Sequence, residues 1–192
     1  YIAGTDEVGR GCIAGPVVAS AVIMPKGVII EGVTDSKLLT DKKRRLLKEE
    51  IMAKALAVEV TFISEAEIDE INILNATFLA MHRAVEGLKT KPDYALIDGN
   101  QYPKIPFVME ETVVKGDAKS MSIAAASIIA KVTRDRLMKE LAQKYPEYAW
   151  DKNAGYPTKS HLQAIEKYGI NQHYRKSFGP VKERIKDENS NN

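Results

Sequence analysis

The chain reads as an α/β protein, or a mixed α+β one, in which strands and helices share one sheet. Three observations lead there. Runs of strand length at residues 2–7, 17–24, 57–63 and 94–97 are apolar or alternating, and helical patterns separate most of them. Residues 118–144 hold neither Pro nor Gly and carry Ala124-Ala125-Ala126, which predicts a long, closely packed helix. There is no internal repeat and no stretch rich enough in Gly, Pro or Ser to divide the chain, so a single domain is expected.

Taken in order, residues 2–7 are extended and run into the turn Gly9-Arg10-Gly11. The apolar run 17–24 is entered through Gly15-Pro16 and stopped by Pro25. Thr40 suits an N-cap for a helix through Ile51 that turns Leu46, Leu47 and Ile51 inward. Residues 57–63 nearly alternate and predict another strand; Ser64 with Glu67 then forms a capping box for a short helix. Asn75 is expected to cap the next helix, which stops at Gly87. The strand at 94–97 ends in the loop signal Asp98-Gly99-Asn100, and 112–115 is expected at a sheet edge before Gly116-Asp117. After the long helix, Gly155-Tyr156-Pro157 marks a turn and Thr158 opens a last amphipathic helix through Tyr168. Residues 186–192 are polar and expected to fray. Residues 1–145 are expected to form the core, with 146–192 a helical extension of the same domain.

Composition narrows the class. With 192 residues, 44% of them hydrophobic and 28% charged, the chain can bury a full core and is neither fibrous nor disordered. No run approaches the ~20 apolar residues that a membrane helix needs, and no basic or apolar leader opens the sequence. The missing initiating Met leads us to expect a trimmed chain. Cys12 is the one cysteine, which rules out an internal disulfide and a cysteine-rich zinc site and makes a reducing cytoplasm the expected compartment. A net charge of +2 says little about nucleic acid, but a cation held by clustered acids would leave the remaining surface more basic.

Candidate chemistry sits where acids meet element ends. Asp6 and Glu7 are adjacent, so on a regular strand they face opposite ways, and one site can use both only if the strand bends or stops. Asp98 closes an apolar strand, and Asp117 precedes the long helix. Asp98 suits a turn former and Asp117 a helix N-cap equally well. Read as ligands, several hard oxygens without a cysteine cluster suit magnesium or manganese. Gly9-Arg10-Gly11 can bring backbone N–H groups to a phosphate or sugar, with Arg10 beside them. Lys37 lies in the loop Asp35-Ser36-Lys37, ahead of the basic run Lys42-Lys43-Arg44-Arg45, which reads first as a solvated helix face. Ser120, Ser122 and Ser127 read as small packing residues, and Lys131, Arg134 and Arg136 are expected at the surface. His82, His161 and His173 form no catalytic pattern. Cys12, Trp150 and Phe178 are expected to be packing residues.

Together these segments resemble bacterial ribonuclease HII, the type 2 ribonuclease H. The carriers are Asp6-Glu7-Val8-Gly9-Arg10-Gly11, Asp35-Ser36-Lys37-Leu38, Ile97-Asp98-Gly99 and Lys115-Gly116-Asp117. The alanine-rich stretch from Ser122 to Val132 with Arg134-Asp135-Arg136, then Gly155-Tyr156-Pro157-Thr158 and Ser177-Phe178-Gly179-Pro180-Val181, follow in order. The resemblance implies a ribonuclease H-like fold, with a central five-stranded mixed sheet flanked by helices and a helical C-terminal part. It implies that Asp6, Glu7, Asp98 and Asp117 hold metal, and that Gly9, Arg10, Gly11 and Tyr156 read a junction between ribonucleotide and deoxyribonucleotide. Lys37 is a further expected phosphate contact.

The implied activity is hydrolysis of the RNA of RNA–DNA hybrids and incision 5′ to single ribonucleotides in duplex DNA. Two divalent ions, Mg2+ or Mn2+, would serve it, leaving 3′-hydroxyl and 5′-phosphate ends. A monomer is expected, with no membrane partner. The sister type, ribonuclease HIII, carries Lys where Arg10 stands. Another nuclease of the same fold, or a non-catalytic hybrid-binding protein, is the alternative.

Overall fold

A computed structural model describes residues 1–34 and 36–192. Its centre is a five-stranded sheet in the order β3-β2-β1-β4-β5. The strands are β1 (Ile2–Val8), β2 (Val17–Ile23), β3 (Ala57–Ile63), β4 (Tyr94–Asp98) and β5 (Met109–Val113). β2 runs antiparallel to both β1 and β3, whereas β1–β4 and β4–β5 are parallel, so the sheet is mixed. All seven residues of β2 are buried, which accounts for an apolar run without strict alternation.

Helices cover both faces. They are α1 (Asp41–Lys54), α2 (Glu65–Ile71), α3 (Ile73–Gly87), α4 (Met121–Lys144), α5 (Trp150–Asn153), α6 (Lys159–Tyr168) and α7 (Gly179–Ser190). On one face Ala76, Ala80, Met81 and Ala84 of α3 pack on Ala19, Ala21 and Ile97 of the sheet. On the other, Ala125, Ala126, Ile128 and Ile129 of α4 join Leu47 and Ile51 of α1 over Val22. A third cluster draws Ile13, Met138 and Ala142 together with Tyr148, Trp150, Ile165, Tyr174 and Val181, so residues on both sides of position 145 share it. α4 lies directly on β1: a Cβ at Gly4 would stand 2.3 Å from the carbonyl carbon of Ser122 and 2.4 Å from the backbone nitrogen of Ile123. Gly4, with no Cβ, is what allows this approach.

Several local expectations need correction. Leu46 is exposed on α1, while Leu47 and Ile51 face the core as expected. Asn72, not Asn75, caps α3: its side chain accepts the Asn75 N–H at 3.0 Å. The edge strand β5 ends at Val113 rather than spanning 112–115, and Lys115 adopts a left-handed backbone with φ 54°. A short 3-10 turn, Gly116–Ala118, precedes α4, so that helix opens at Met121 under a Ser120 cap. Finally, α6 is not the last helix, and the expected frayed tail is helical through Ser190 in α7. Val181, fully buried, anchors α7 to the third cluster, a contact that no local periodicity announces. Among the described residues no helix is long and apolar enough to cross a membrane.

Candidate metal centre and nucleic-acid interface

The parallel pairing of β1 with β4 brings the first carboxylates together. Thr5 is in register with Ile97, so the next residues on the two strands, Asp6 and Asp98, meet at neighbouring strand ends. One carboxylate oxygen from each of Asp6, Glu7 and Asp98 lies within 4.8 Å of the others. Asp6 and Glu7 both lie inside β1, which stays paired with β2 through Val8, so the strand does not stop at them as expected, yet each offers an oxygen to the same group. The Glu7 N–H donates to Asp6 Oδ1 at 2.7 Å, and the Gly116 N–H donates to Asp98 Oδ1 at 2.8 Å. That second bond ties the turn carrying Asp117 to β4. Asp117 lines the same cleft, of about 400 Å3, outside the close group of three.

The electrostatics of this cluster are unfavourable without a cation. Burial pushes the Asp6 carboxyl well above the usual carboxylate range, and the charges of Glu7 and Asp98 push it further. Burial also raises Glu7, against the opposing pull of the Asp6 hydrogen bond and the Arg10 charge. A compact set of hard oxygen donors under mutual repulsion fits a divalent cation such as Mg2+ or Mn2+.

The cleft is also lined by Ser36, Lys37, Arg44, Ser127, Lys131 and Tyr156. Lys37 is exposed in a short 3-10 turn, Ser36–Leu38, rather than in the expected loop, and Arg44 holds the turn: its Nη1 donates to the Ser36 carbonyl at 2.8 Å and to that of Leu39. Asp35 of that motif lies outside the described residues. The serine hydroxyls of Ser36 and Ser127 are 2.8 Å apart. Lys131, expected simply at the surface, is half-buried in the cleft and pairs with Asp135 at 2.9 Å.

Beside the carboxylates stands the glycine turn. Arg10 and Gly11 are exposed, and the ring of Tyr156 lies 3.6 Å from where a Cβ of Gly11 would stand. Gly9 has φ +94°, and a Cβ there would fall 2.4 Å from Nε of Arg134. Glycine is required at this position on both counts. The structure therefore brings Arg10, Gly11 and Tyr156 to one surface next to Asp6, Glu7 and Asp98, with Gly9 buried beneath it against Arg134.

Behind this surface lie two arginines that sequence reasoning misplaced or passed over. Arg134, expected at the surface, is 1% exposed, and Arg175, not singled out at all, is 0% exposed. Arg134 donates to the carbonyls of Pro16 and Ala14, each at 2.9 Å, and to that of Ala154. Arg175 donates to Gly15, Arg10 and Gly9 carbonyls at 2.9, 3.1 and 2.7 Å. Burial lowers the Arg175 guanidinium to about 10, which leaves it charged at neutral pH. In the sequence, Tyr174-Arg175-Lys176-Ser177 looks like an ordinary polar loop, so no local signal could have found this role.

The ribonuclease HII family model matches residues 3–180. The chain belongs to the ribonuclease HII family. It is 56% identical over 180 residues to ribonuclease HII of Aliivibrio fischeri, covering 94% of this chain and 86% of that protein. It is 54% identical over 188 residues to ribonuclease HII of Bacillus cytotoxicus, covering 97% and 71% of the two chains. The crystal structure of ribonuclease H2 from Pyrococcus horikoshii OT3 superposes with TM-score 0.82 at 29% identity, covering 97% of each chain. The fold is thus that of the type 2 ribonucleases H, and the chain is an endoribonuclease of a divalent-metal-dependent family acting on the RNA of RNA–DNA hybrids.

Proposed function

We propose that this ribonuclease HII also incises duplex DNA 5′ to a single embedded ribonucleotide, with Asp6, Glu7, Asp98 and Asp117 holding two divalent ions, Mg2+ or Mn2+. The observation that carries the reading is the apposition of Gly11 and Tyr156 on the rim of the carboxylate cleft. Bound ions would supply an activated water and charge stabilisation for the leaving 3′ oxygen, which gives 3′-hydroxyl and 5′-phosphate ends.

The chain's own residues do the positioning. Asp6, Glu7 and Asp98 present their oxygens from adjoining strand ends, and the Gly116 N–H holds the Asp98 carboxylate in one orientation. The turn Gly9-Arg10-Gly11 offers backbone N–H groups to a 2′-hydroxyl, the group that distinguishes RNA from DNA. Tyr156 stacks on the next deoxyribose and disfavours a 2′-hydroxyl there. Arg10, and Lys37 across the cleft, contact backbone phosphates. In this arrangement residues 1–145 act as the catalytic core, and 146–192 is an extension that contributes Tyr156 to the substrate surface.

The test is a labelled duplex with one ribonucleotide, its all-DNA counterpart and a continuous hybrid, each with Mg2+ or Mn2+. Incision directly 5′ to the single ribonucleotide, with the all-DNA duplex intact, is expected. Equal cutting of the all-DNA duplex would overturn the reading and favour a DNase on the same fold.

A further inference from the structure

We infer that Arg175 is a positioning residue for ribonucleotide recognition: its guanidinium holds the Gly9-Arg10-Gly11 turn with the N–H groups of Arg10 and Gly11 facing the substrate. The inference rests on the proposed junction reading of that turn. Arg175 Nη2 takes the carbonyl of Gly9 at 2.7 Å and Nη1 that of Arg10 at 3.1 Å. In a planar trans peptide the carbonyl of one residue and the N–H of the next point in opposite directions. Drawing the Gly9 and Arg10 carbonyls inward therefore turns the Arg10 and Gly11 N–H groups outward, toward the exposed face. Among the described residues neither N–H has a protein acceptor.

Both buried guanidiniums are committed to this task. Among the described residues neither Arg134 nor Arg175 forms an ion pair, and carbonyl oxygens take the Nε and both Nη atoms of each. Such a carbonyl cage fixes the backbone through the planar fork of arginine, which lysine does not reproduce. Arg134 extends the cage to Ala154, two residues before Tyr156, and the Ile13 N–H donates to the Gly155 carbonyl at 2.9 Å. Phe178 closes the far side, its ring centre 5.1 Å from Cζ of Arg175. The turn and Tyr156 thus keep one spacing although 145 positions separate Gly11 from Tyr156 in sequence.

The experiment measures ribonucleotide discrimination, the ratio of affinities for a single-ribonucleotide duplex and its all-DNA twin, with Ca2+ in place of the catalytic ion. For Arg175→Ala, discrimination should fall about tenfold, the size of losing one well-placed hydrogen bond. All-DNA affinity and Mn2+ affinity should stay within about twofold of the parent. If Arg175→Ala does not fold, the same ratio is read on Arg175→Lys, which keeps the cation and loses the fork, with the same expectation. Discrimination kept intact in a folded variant overturns the inference. So does a parallel loss of discrimination and Mn2+ affinity, which marks a general structural role. Absence of discrimination in the parent chain would instead overturn the junction reading beneath it, so the two failures are distinguishable.

Discussion

His161 Nδ1 stands 2.7 Å from the carbonyl oxygen of Tyr156, and the neighbours of the buried ring select its tautomer. Nε2 is 3.1 Å from the indole nitrogen of Trp150, which only donates, so Nε2 accepts and Nδ1–H donates to Tyr156. The Tyr174 hydroxyl, 2.9 Å away, completes the set around Nε2. Burial lowers the His161 pKa. A depressed folded pKa means that His161 contributes stability above its unfolded value, near 6.5, and loses it as pH falls through the folded value. His161→Phe should remove about 1–3 kcal/mol at neutral pH by taking away the acceptor that the Trp150 N–H and the Tyr174 hydroxyl share, and should flatten the acid limb of stability against pH. Urea unfolding of both chains between pH 7.5 and 5 measures this; identical acid limbs would refute the assignment.

Repulsion among Asp6, Glu7 and Asp98 predicts opposite responses to neutralisation and to metal. Asp6→Asn should raise the thermal midpoint of the chain in EDTA, because a buried charge without a counter-ion is removed. In the parent chain Mg2+ or Mn2+ should raise the midpoint, by an amount corresponding to about 2.7 kcal/mol at a hundredfold excess over Kd. The variant should show little of that shift. A full metal-induced rise in Asp6→Asn, followed by calorimetry, would remove Asp6 from the metal site.

Asp98→Asn separates chemistry from folding. The amide oxygen can still accept the Gly116 N–H, so the turn before α4 stays tied to β4. Loss of the carboxylate charge should lower kcat by on the order of 100-fold or more, at least the cost of disturbing a metal ligand's supporting partner. Affinity for the hybrid should change far less. Single-turnover cleavage alongside a binding titration decides it, and an active variant would exclude Asp98 from the site.

Gly4→Ala tests how closely α4 rests on the sheet. The new methyl would meet backbone atoms of Ser122 and Ile123 at 2.3 and 2.4 Å, which no side-chain rotation relieves. Overpacking of this kind costs about 1–3 kcal/mol. Because Gly116 and Asp117 lead into α4, a displaced helix should also weaken Mn2+ binding. A variant with unchanged urea midpoint would mean that the helix yields freely.

Elements with signals inside four residues were legible. Thr40, Ser64 with Glu67, and Thr158 each cap the helix expected of them. Where two signals compete within one turn, as with Asn72 and Asn75, composition could not choose, because the choice depends on the φ of 70° at Asn72. β5, with pattern MEETV, carries little apolar contrast, since an edge strand need not bury both faces. α7 was hidden by a polar composition with one deeply buried anchor, Val181.

By itself the sequence determined the family, the four carboxylates as candidates, and the Gly-Arg-Gly turn with Tyr156 as a possible reading element. These rest on residue type and order, which the chain carries explicitly. Only the tertiary structure decided which of them meet: Asp6, Glu7 and Asp98 closely, Asp117 on the same cleft, and Tyr156 against Gly11. It also turned Arg134 from an expected surface residue into a buried brace and uncovered Arg175. The physical reason is distance along the chain. An arginine is buried at tolerable cost only where carbonyls satisfy it, and here those carbonyls come from positions 120 and 166 residues away for Ala14 and Gly9.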